Sequence, residues 1–239
     1  MTSPTRDQWP WQQPARPVNR GGFILIEGLD RAGKTTQVKR LCDKLYSLGH
    51  NIKTLRFPDR TSPIGLMIND YLQNSTDMDD HAIHLLFSAN RWERAKWIND
   101  NIMAGYTIIC DRYYLSGIAY SVAKNDSSLT QEWASAPDIG LPCPDAIVFL
   151  DISPEEGQKR AGFGTEKYEK KEFQQQIRKI FLQLLSSIPY DTCVQIIDAG
   201  QSTSTVENQI FDAINVVLES TLFGLSKKPI GKIPPCKKQ

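Results

Sequence analysis

Eight residues constrain this chain most: Gly28-Leu29-Asp30-Arg31-Ala32-Gly33-Lys34-Thr35, which fit the pattern G-x-x-x-x-G-K-[ST]. Phe23-Ile24-Leu25-Ile26 precede them as a continuous apolar run, as a buried parallel strand requires. A helix follows, with Val38, Leu41, Cys42 and Leu45 on one stripe and Gly49 as its stop. Strand, glycine-rich turn and helix together form a phosphate cradle. The glycines let backbone N–H groups approach phosphate oxygens, and the helix points its positive end at the same anion. Lys34 reaches the β- and γ-phosphates, and Thr35 offers a hydroxyl to Mg²⁺. A chance match in such a chain has odds on the order of 1 in 100, and the flanking elements lower them further. The expected ATP-binding set is Gly28, Arg31, Ala32, Gly33, Lys34, Thr35 and Thr36.

The rest of the chain reads as alternating strands and helices. Ile52 to Phe57, Thr107 to Cys110, Ala146 to Leu150 and Val194 to Ile197 are the further strands. Ser62-Pro63 reads as an N-cap with Pro at the first helical position, and a long helix is expected from near Asp80 to Ile102. Ser153-Pro154-Glu155-Glu156 is a capping box. A helix follows from about Lys171 to Ser187, and Ser204-x-x-Glu207 caps the last one. The fold class is therefore α/β: a five-stranded parallel sheet with helices on both faces. Residues 21–224 form the expected domain. Residues 1–20, with Pro4, Pro10, Pro14 and Pro17, read as a disordered extension, and 225–239 as a basic flexible tail. A solvated tail is preferred there over a nuclear address.

Composition excludes several classes. The net charge of +1 provides no global field for nucleic acid. No apolar run approaches the roughly 20 residues of a membrane helix. Five scattered cysteines without a Cys-x-x-Cys argue against disulfides or zinc, and for a reducing, cytoplasmic compartment. No Asn-Lys-x-Asp is present to read guanine. A small-molecule phosphotransferase remains, and a monophosphate acceptor would call for arginines outside the phosphate loop. Arg56, Arg60, Arg91, Arg94, Arg112 and Arg160 are the candidates, with Arg94 read as a surface ion pair. Two strands end in aspartate. Asp151 reads as a strand-end turn or cap, whereas Asp111 is followed by Arg112 and stands as the acidic group near Mg²⁺.

Further motifs occur in order: Phe57-Pro58-Asp59-Arg60, Leu86-Phe87-Ser88-Ala89-Asn90-Arg91-Trp92, Asp111-Arg112-Tyr113, Ser116-Gly117-x-Ala119-Tyr120, Pro137-Asp138-x-Gly140-Leu141-Pro142 and Phe163-Gly164-x-Glu166-x-Tyr168-Glu169. Over about residues 21 to 220 the chain resembles the eukaryotic-type thymidylate kinases. The resemblance implies a P-loop kinase fold with a short mobile lid at about 160–170. It also implies transfer of phosphate from MgATP to dTMP for dTTP synthesis, and a homodimer packed through helices. The alternatives are another nucleoside monophosphate kinase or a non-catalytic nucleotide-binding protein.

The resemblance implies residue roles too. Catalysis would fall to Arg31, Lys34, Asp111 and Arg112, with Thr35 and Asp111 holding Mg²⁺. Arg31 would act as an arginine finger in cis, a role worth roughly 10³- to 10⁵-fold in phosphoryl transferases. Arg60 and Arg112 would grip the dTMP phosphate. Phe87 would stack on thymine and Arg91 would bond its O4, the two lying four apart on one helix face. Asp30 would take the sugar 3′-hydroxyl, and Tyr120 would crowd the 2′ position. Phe57, Ser116 and Gly117 complete the pocket. Arg160 would lie on adenine, and Tyr168 and Gln174 would approach dTMP as the lid closes.

Overall fold

The computed structural model describes residues 19–160, 167–168, 170–189, 192–223 and 229–235. Five strands form one wholly parallel sheet: β1 (Phe23–Gly28), β2 (Ile52–Arg56), β3 (Thr107–Asp111), β4 (Ala146–Asp151) and β5 (Cys193–Asp198). Their order is β2-β3-β1-β4-β5. β1 lies at the centre, fully buried, because its run of apolar side chains must be covered on both faces. Helix α1 (Lys34–Ser47) packs with α8 (Thr203–Phe223) on one face. On the other lie α3 (Asp80–Met103), α4 (Tyr114–Val122) and α7 (Lys171–Ser186). Three short helices complete the layers: α2 (Pro63–Leu72), α5 (Gln131–Ser135) and α6 (Pro154–Gln158). No helix among the described residues is long and apolar enough to cross a membrane.

Caps explain several boundaries. Ser62 Oγ accepts from Gly65 N at 3.0 Å, and Ser153 Oγ accepts from Glu156 N at 3.2 Å, as their sequences predict. The cap of α8 differs: Ser202 Oγ accepts from Thr205 N at 3.2 Å, while Glu207 instead binds Arg40. Ser202 wins because α8 starts one residue ahead of Ser204. Sequence periodicity did not reveal α4 at all. It is nine residues long and its N-cap, Tyr113, makes no side-chain cap bond.

Both termini need correction. Arg20, assigned to the extension, is buried and forms a two-bond ion pair with Asp145 at 2.7 and 2.8 Å. In the basic tail, residues 230–233 lie in extended backbone beside 140–143. Gly140 N donates to Ile233 O, and Ile233 N to Leu141 O. Ile233 is buried in the core and Ile230 packs against it, which holds the segment down. Residues 1–18 and 236–239 lie outside the described residues.

Candidate active site

The carboxyl ends of the strands open into a cavity of about 670 Å³. β1 sits where strand order reverses, which is where an open α/β sheet places its ligand. Gly28, Asp111 and Arg112, and Ala199 come from the ends of β1, β3 and β5. Arg56 and Phe57 come from the end of β2.

At one end lies the phosphate loop. Gly28 and Gly33 have φ of 152° and 90°. A Cβ on Gly28 would stand 2.7 Å from the Leu150 carbonyl oxygen, so only glycine lets the loop leave the sheet this closely. Lys34 is buried and donates to Leu29 O at 2.6 Å and Gly28 O at 3.1 Å. Burial, and then the neighbouring Arg112 charge, pull its ammonium down to about 8. Thr35 Oγ1 donates to Asp111 Oδ2 at 2.9 Å, while the buried Asp111 Oδ1 has no hydrogen-bond partner. A hydroxyl beside an unspent carboxylate oxygen suits a hard cation. Among the described residues no cluster of three or more His, Cys, Asp or Glu could hold a metal. Mg²⁺ fits here only as an ion that keeps waters and takes phosphate ligands.

Arg112 stands at the centre. Its φ is +67°, in the left-handed region. Nη1 donates to Gly28 O at 3.1 Å and Ser116 Oγ at 3.2 Å, and Nη2 to Asp30 Oδ1 at 2.5 Å. Asp30 also accepts from the Tyr120 hydroxyl and from Gln174 Nε2, each at 2.9 Å. Burial would raise the Asp30 carboxyl, but Arg112 and Lys34 outweigh it and hold it low. Four predicted residues, Asp30, Arg112, Tyr120 and Gln174, thus form one network. Arg31, in the loop, has φ of +63°, and its carbonyl accepts from Arg160 Nη1 at 2.8 Å. Arg160 Nη2 donates to Ala199 O at 2.7 Å, tying the phosphate loop to the end of β5. The other non-glycine residues at positive φ, Asn74 and Asn125, follow helix ends, where Asn tolerates it. The strained arginines stand at the site instead.

The far end is built from helices. Phe57 packs on Tyr113 with ring centres 5.4 Å apart. Phe87 and Arg91 line the cavity from α3. Arg91, 2 % exposed, forks onto Asp138, with Nε to Oδ1 at 3.0 Å and Nη2 to Oδ2 at 2.7 Å. A Cβ on Gly117 would meet Arg91 Nη2 at 2.7 Å, so glycine makes room for the guanidinium. Arg60 Nη1 donates to Asn69 Oδ1 at 3.0 Å. Tyr168 stacks on Phe173 and its hydroxyl meets that of Tyr71 at 3.1 Å. Lys167 pairs with Asp77 at 3.1 Å and Lys171 with Glu155 at 3.1 Å. Residues 161–166 and 169, most of the expected lid, lie outside the described residues.

Arg94 pairs with Asp59, the ion pair expected of it, whereas Asp151, expected in a turn or cap, instead pairs with Arg178 through two bonds of 2.6 and 2.7 Å. The sequence reading missed three supporting residues. Glu27 is fully buried. Oε1 accepts from Tyr113 N at 3.0 Å and Ser116 N at 3.1 Å, and Oε2 from Ser116 Oγ at 2.6 Å. It is the cap that α4 lacks locally, and desolvation raises its carboxyl. A charge closing an apolar strand was the available signal. Asn90 clamps the turn bearing Arg60, accepting from Asp59 N at 2.7 Å and donating to Asp59 O at 3.1 Å. Asp138, the third, pairs only through tertiary contact.

A family model described as thymidylate kinase matches residues 26–210. Human thymidylate kinase is 39% identical over 216 residues, covering 90% of this chain and 98% of the relative. The Schizosaccharomyces pombe thymidylate kinase is 46% identical, with 85% and 97% covered. A solved structure of the Candida albicans thymidylate kinase, an enzyme described as broad in substrate specificity, aligns with a TM-score of 0.78 at 41% identity. That alignment covers 90% of this chain and 98% of that one.

Proposed function

The chain belongs to the thymidylate kinase family, and from that premise we infer that it transfers the γ-phosphoryl group of ATP to dTMP, giving ADP and dTDP. One observation carries the residue roles. A single cavity joins the phosphate loop to an opposing set of arginines and aromatics, Arg60, Arg112, Phe87 and Arg91. A phosphate oxygen of dTMP attacks the γ-phosphorus while the bond to the β,γ-bridging oxygen breaks. That oxygen is already ionised, so no strong general base is required. Positioning and charge neutralisation do the work.

Lys34 leaves the carbonyls of Gly28 and Leu29 for the β- and γ-phosphates, regaining full charge as the anion arrives. Arg31 neutralises the transferred group. Arg112 and Arg60 grip the dTMP phosphate. Asp30 keeps a lone pair for the sugar 3′-hydroxyl, and Tyr120, pinned to Asp30, fills the 2′ side. Thymine lies on Phe87, with Arg91 Nη1 directed to O4 because Asp138 occupies Nε and Nη2. Thr35 and Asp111 would hold Mg²⁺, directly or through water. When bound, that ion supplies neutralisation of the bridging phosphate charge. Arg160 would carry adenine, and closure of the segment around Tyr168 would exclude water. A homodimer would form through α3, whose Leu85 and Trp92 are both exposed and seven residues apart.

A coupled ADP-release assay with MgATP and dTMP, dUMP, dCMP, dAMP, dGMP and UMP tests this. Selective turnover of dTMP, weaker with dUMP, is expected. Comparable turnover of dCMP or UMP would refute the base and sugar assignments, and no turnover at all would favour a binding protein.

A further inference from the structure

The C-terminal segment, residues 229–235, bonds to the loop between α5 and β4, and none of the roles above uses it. That loop carries Asp138, which opens a four-residue turn. Leu141 N donates to Asp138 O at 3.2 Å. Ile139 has φ −60° and ψ 126°, and Gly140 has φ +94°. These are the dihedrals of a type II turn, whose third position takes glycine because it needs positive φ. The turn spends the Leu141 N–H on itself, and the Gly140 N–H donates to Ile233 O at 3.0 Å. Ile233 N donates to Leu141 O at 2.9 Å, and Cys143 N to Gly231 O at 2.8 Å. Pro142 and Lys232 therefore face each other antiparallel, in a pair that asks no N–H of the proline. Ile233, 6 % exposed, seats the segment in the core.

Helix α3 grips the same loop from the other side. Pro137 O accepts from Trp92 Nε1 at 2.7 Å and from Ser88 Oγ at 3.2 Å, and Asp138 Oδ1 accepts from Ser88 Oγ at 2.8 Å. Side chains of α3 thus hold Pro137 and Asp138, while backbone of the C-terminal segment holds Gly140, Leu141 and Cys143. Asp138 stands between the two grips. Its carboxylate fixes Nε and Nη2 of Arg91 and so sets the aim of Nη1. A buried guanidinium cannot replace those bonds with water, so it follows the carboxylate when the turn shifts.

We propose that residues 229–235 act as a strap that positions Asp138, and through it Arg91, for the base of dTMP. Ile233 is the principal positioning residue. Its side chain seats the strap, and both of its backbone groups bond the turn. The strap works at a distance, since none of residues 229–235 lines the cavity. The inference rests on the reading that Arg91 meets O4 of thymine.

Steady-state kinetics with dTMP and its 4-thio analogue, whose sulfur is a weak acceptor, test this. The proteins are wild type, Ile233→Ala, Ile233→Val, Gly140→Ala, Lys232→Ala and a chain ended at residue 228. Wild type should prefer dTMP. In the shortened chain KM for dTMP should rise about tenfold, as for one lost hydrogen bond to a charged group, with kcat and KM for ATP within about twofold. Its preference for dTMP over the 4-thio analogue should shrink by the same factor, which lost stability alone would not produce. Ile233→Ala and Gly140→Ala unseat the strap from either side and should show the same split in smaller degree. Ile233→Val keeps most of the apolar seat and should retain the preference. Lys232→Ala, changed only at an exposed side chain, should match wild type. If the shortened chain fails to fold, the two point variants carry the same expectation. An unchanged preference in Ile233→Ala and Gly140→Ala, or a rise in KM for ATP as large as that for dTMP, overturns the strap while the placement of O4 stands. A wild type without preference for dTMP over the 4-thio analogue overturns that placement, and the strap's role with it.

Discussion

At the phosphate end of the cavity the working groups hang from strand ends and from backbone held in the left-handed region at Arg31 and Arg112. At the base end they hang from the middle of α3 and α4, where Arg91 is forked onto Asp138 and His84 Nδ1 meets Ser121 Oγ. The phosphate end keeps unspent capacity: Asp111 Oδ1 lacks a partner, and Lys34 rests on two carbonyls that a phosphate would displace. Reaction needs charge that can be re-aimed when the anion arrives. Selection among bases needs donors and acceptors that cannot turn. The two ends meet these needs with opposite constructions.

If this contrast is right, damage to one end should spare the other. Arg31→Ala should show the largest effect, lowering kcat by roughly 10³-fold or more while dTMP affinity changes little. Single-turnover rates with a separate dTMP titration check it, and equal losses would break the contrast. Asp138→Ala is the mirror experiment. It strands the buried Arg91 charge and should destabilise the fold by about 3–5 kcal/mol in chemical denaturation. ATP affinity of the folded fraction should survive.

The pH dependence is smaller and belongs to the phosphate end alone. Lys34 falls from an ordinary 10.5 to about 8 in the fold. The free enzyme loses this proton as pH rises through about 8. ATP affinity by calorimetry should then decline by up to about tenfold per pH unit above that point, with proton uptake on binding. The sign for stability is the opposite. Between about 8 and 10.5 the unfolded chain binds more protons at this site, so its contribution to stability rises with pH. Smallest is Glu27→Gln, which replaces one carboxylate oxygen by a donor facing Ser116. A loss of about 1–2 kcal/mol in stability is expected, together with a few-fold rise in KM for dTMP through Arg112. A change confined to ATP would show that Glu27 serves the loop and not α4.

Much of the fold was legible. The strands were read to within a residue or two, most plainly β1, β3 and β4, whose apolar runs are continuous, and Ser62 and Ser153 cap the helices that follow them. The site was partly legible, since Asp30, Lys34, Thr35, Arg112 and Tyr120 lie in patterned segments and do meet in one cavity. Helix α4 was not legible, because its cap is Glu27, 86 residues upstream of Tyr113. The ends of the domain were misjudged at Arg20 and at Ile230 to Ile233. Their partners, Asp145 and residues 140–143, are distant in sequence.

The sequence by itself determined the parallel α/β architecture and the phosphate loop, because both follow from local periodicity and from glycine's backbone freedom. Tertiary structure alone decided how the polar groups are committed. Asp138 takes two donors of Arg91, Glu27 holds the start of α4, and His84 meets Ser121 at 2.7 Å. A residue's type fixes which hydrogen bonds it can make. Only the approach of distant elements in a buried, low-dielectric space decides which are spent on the fold and which remain for a ligand.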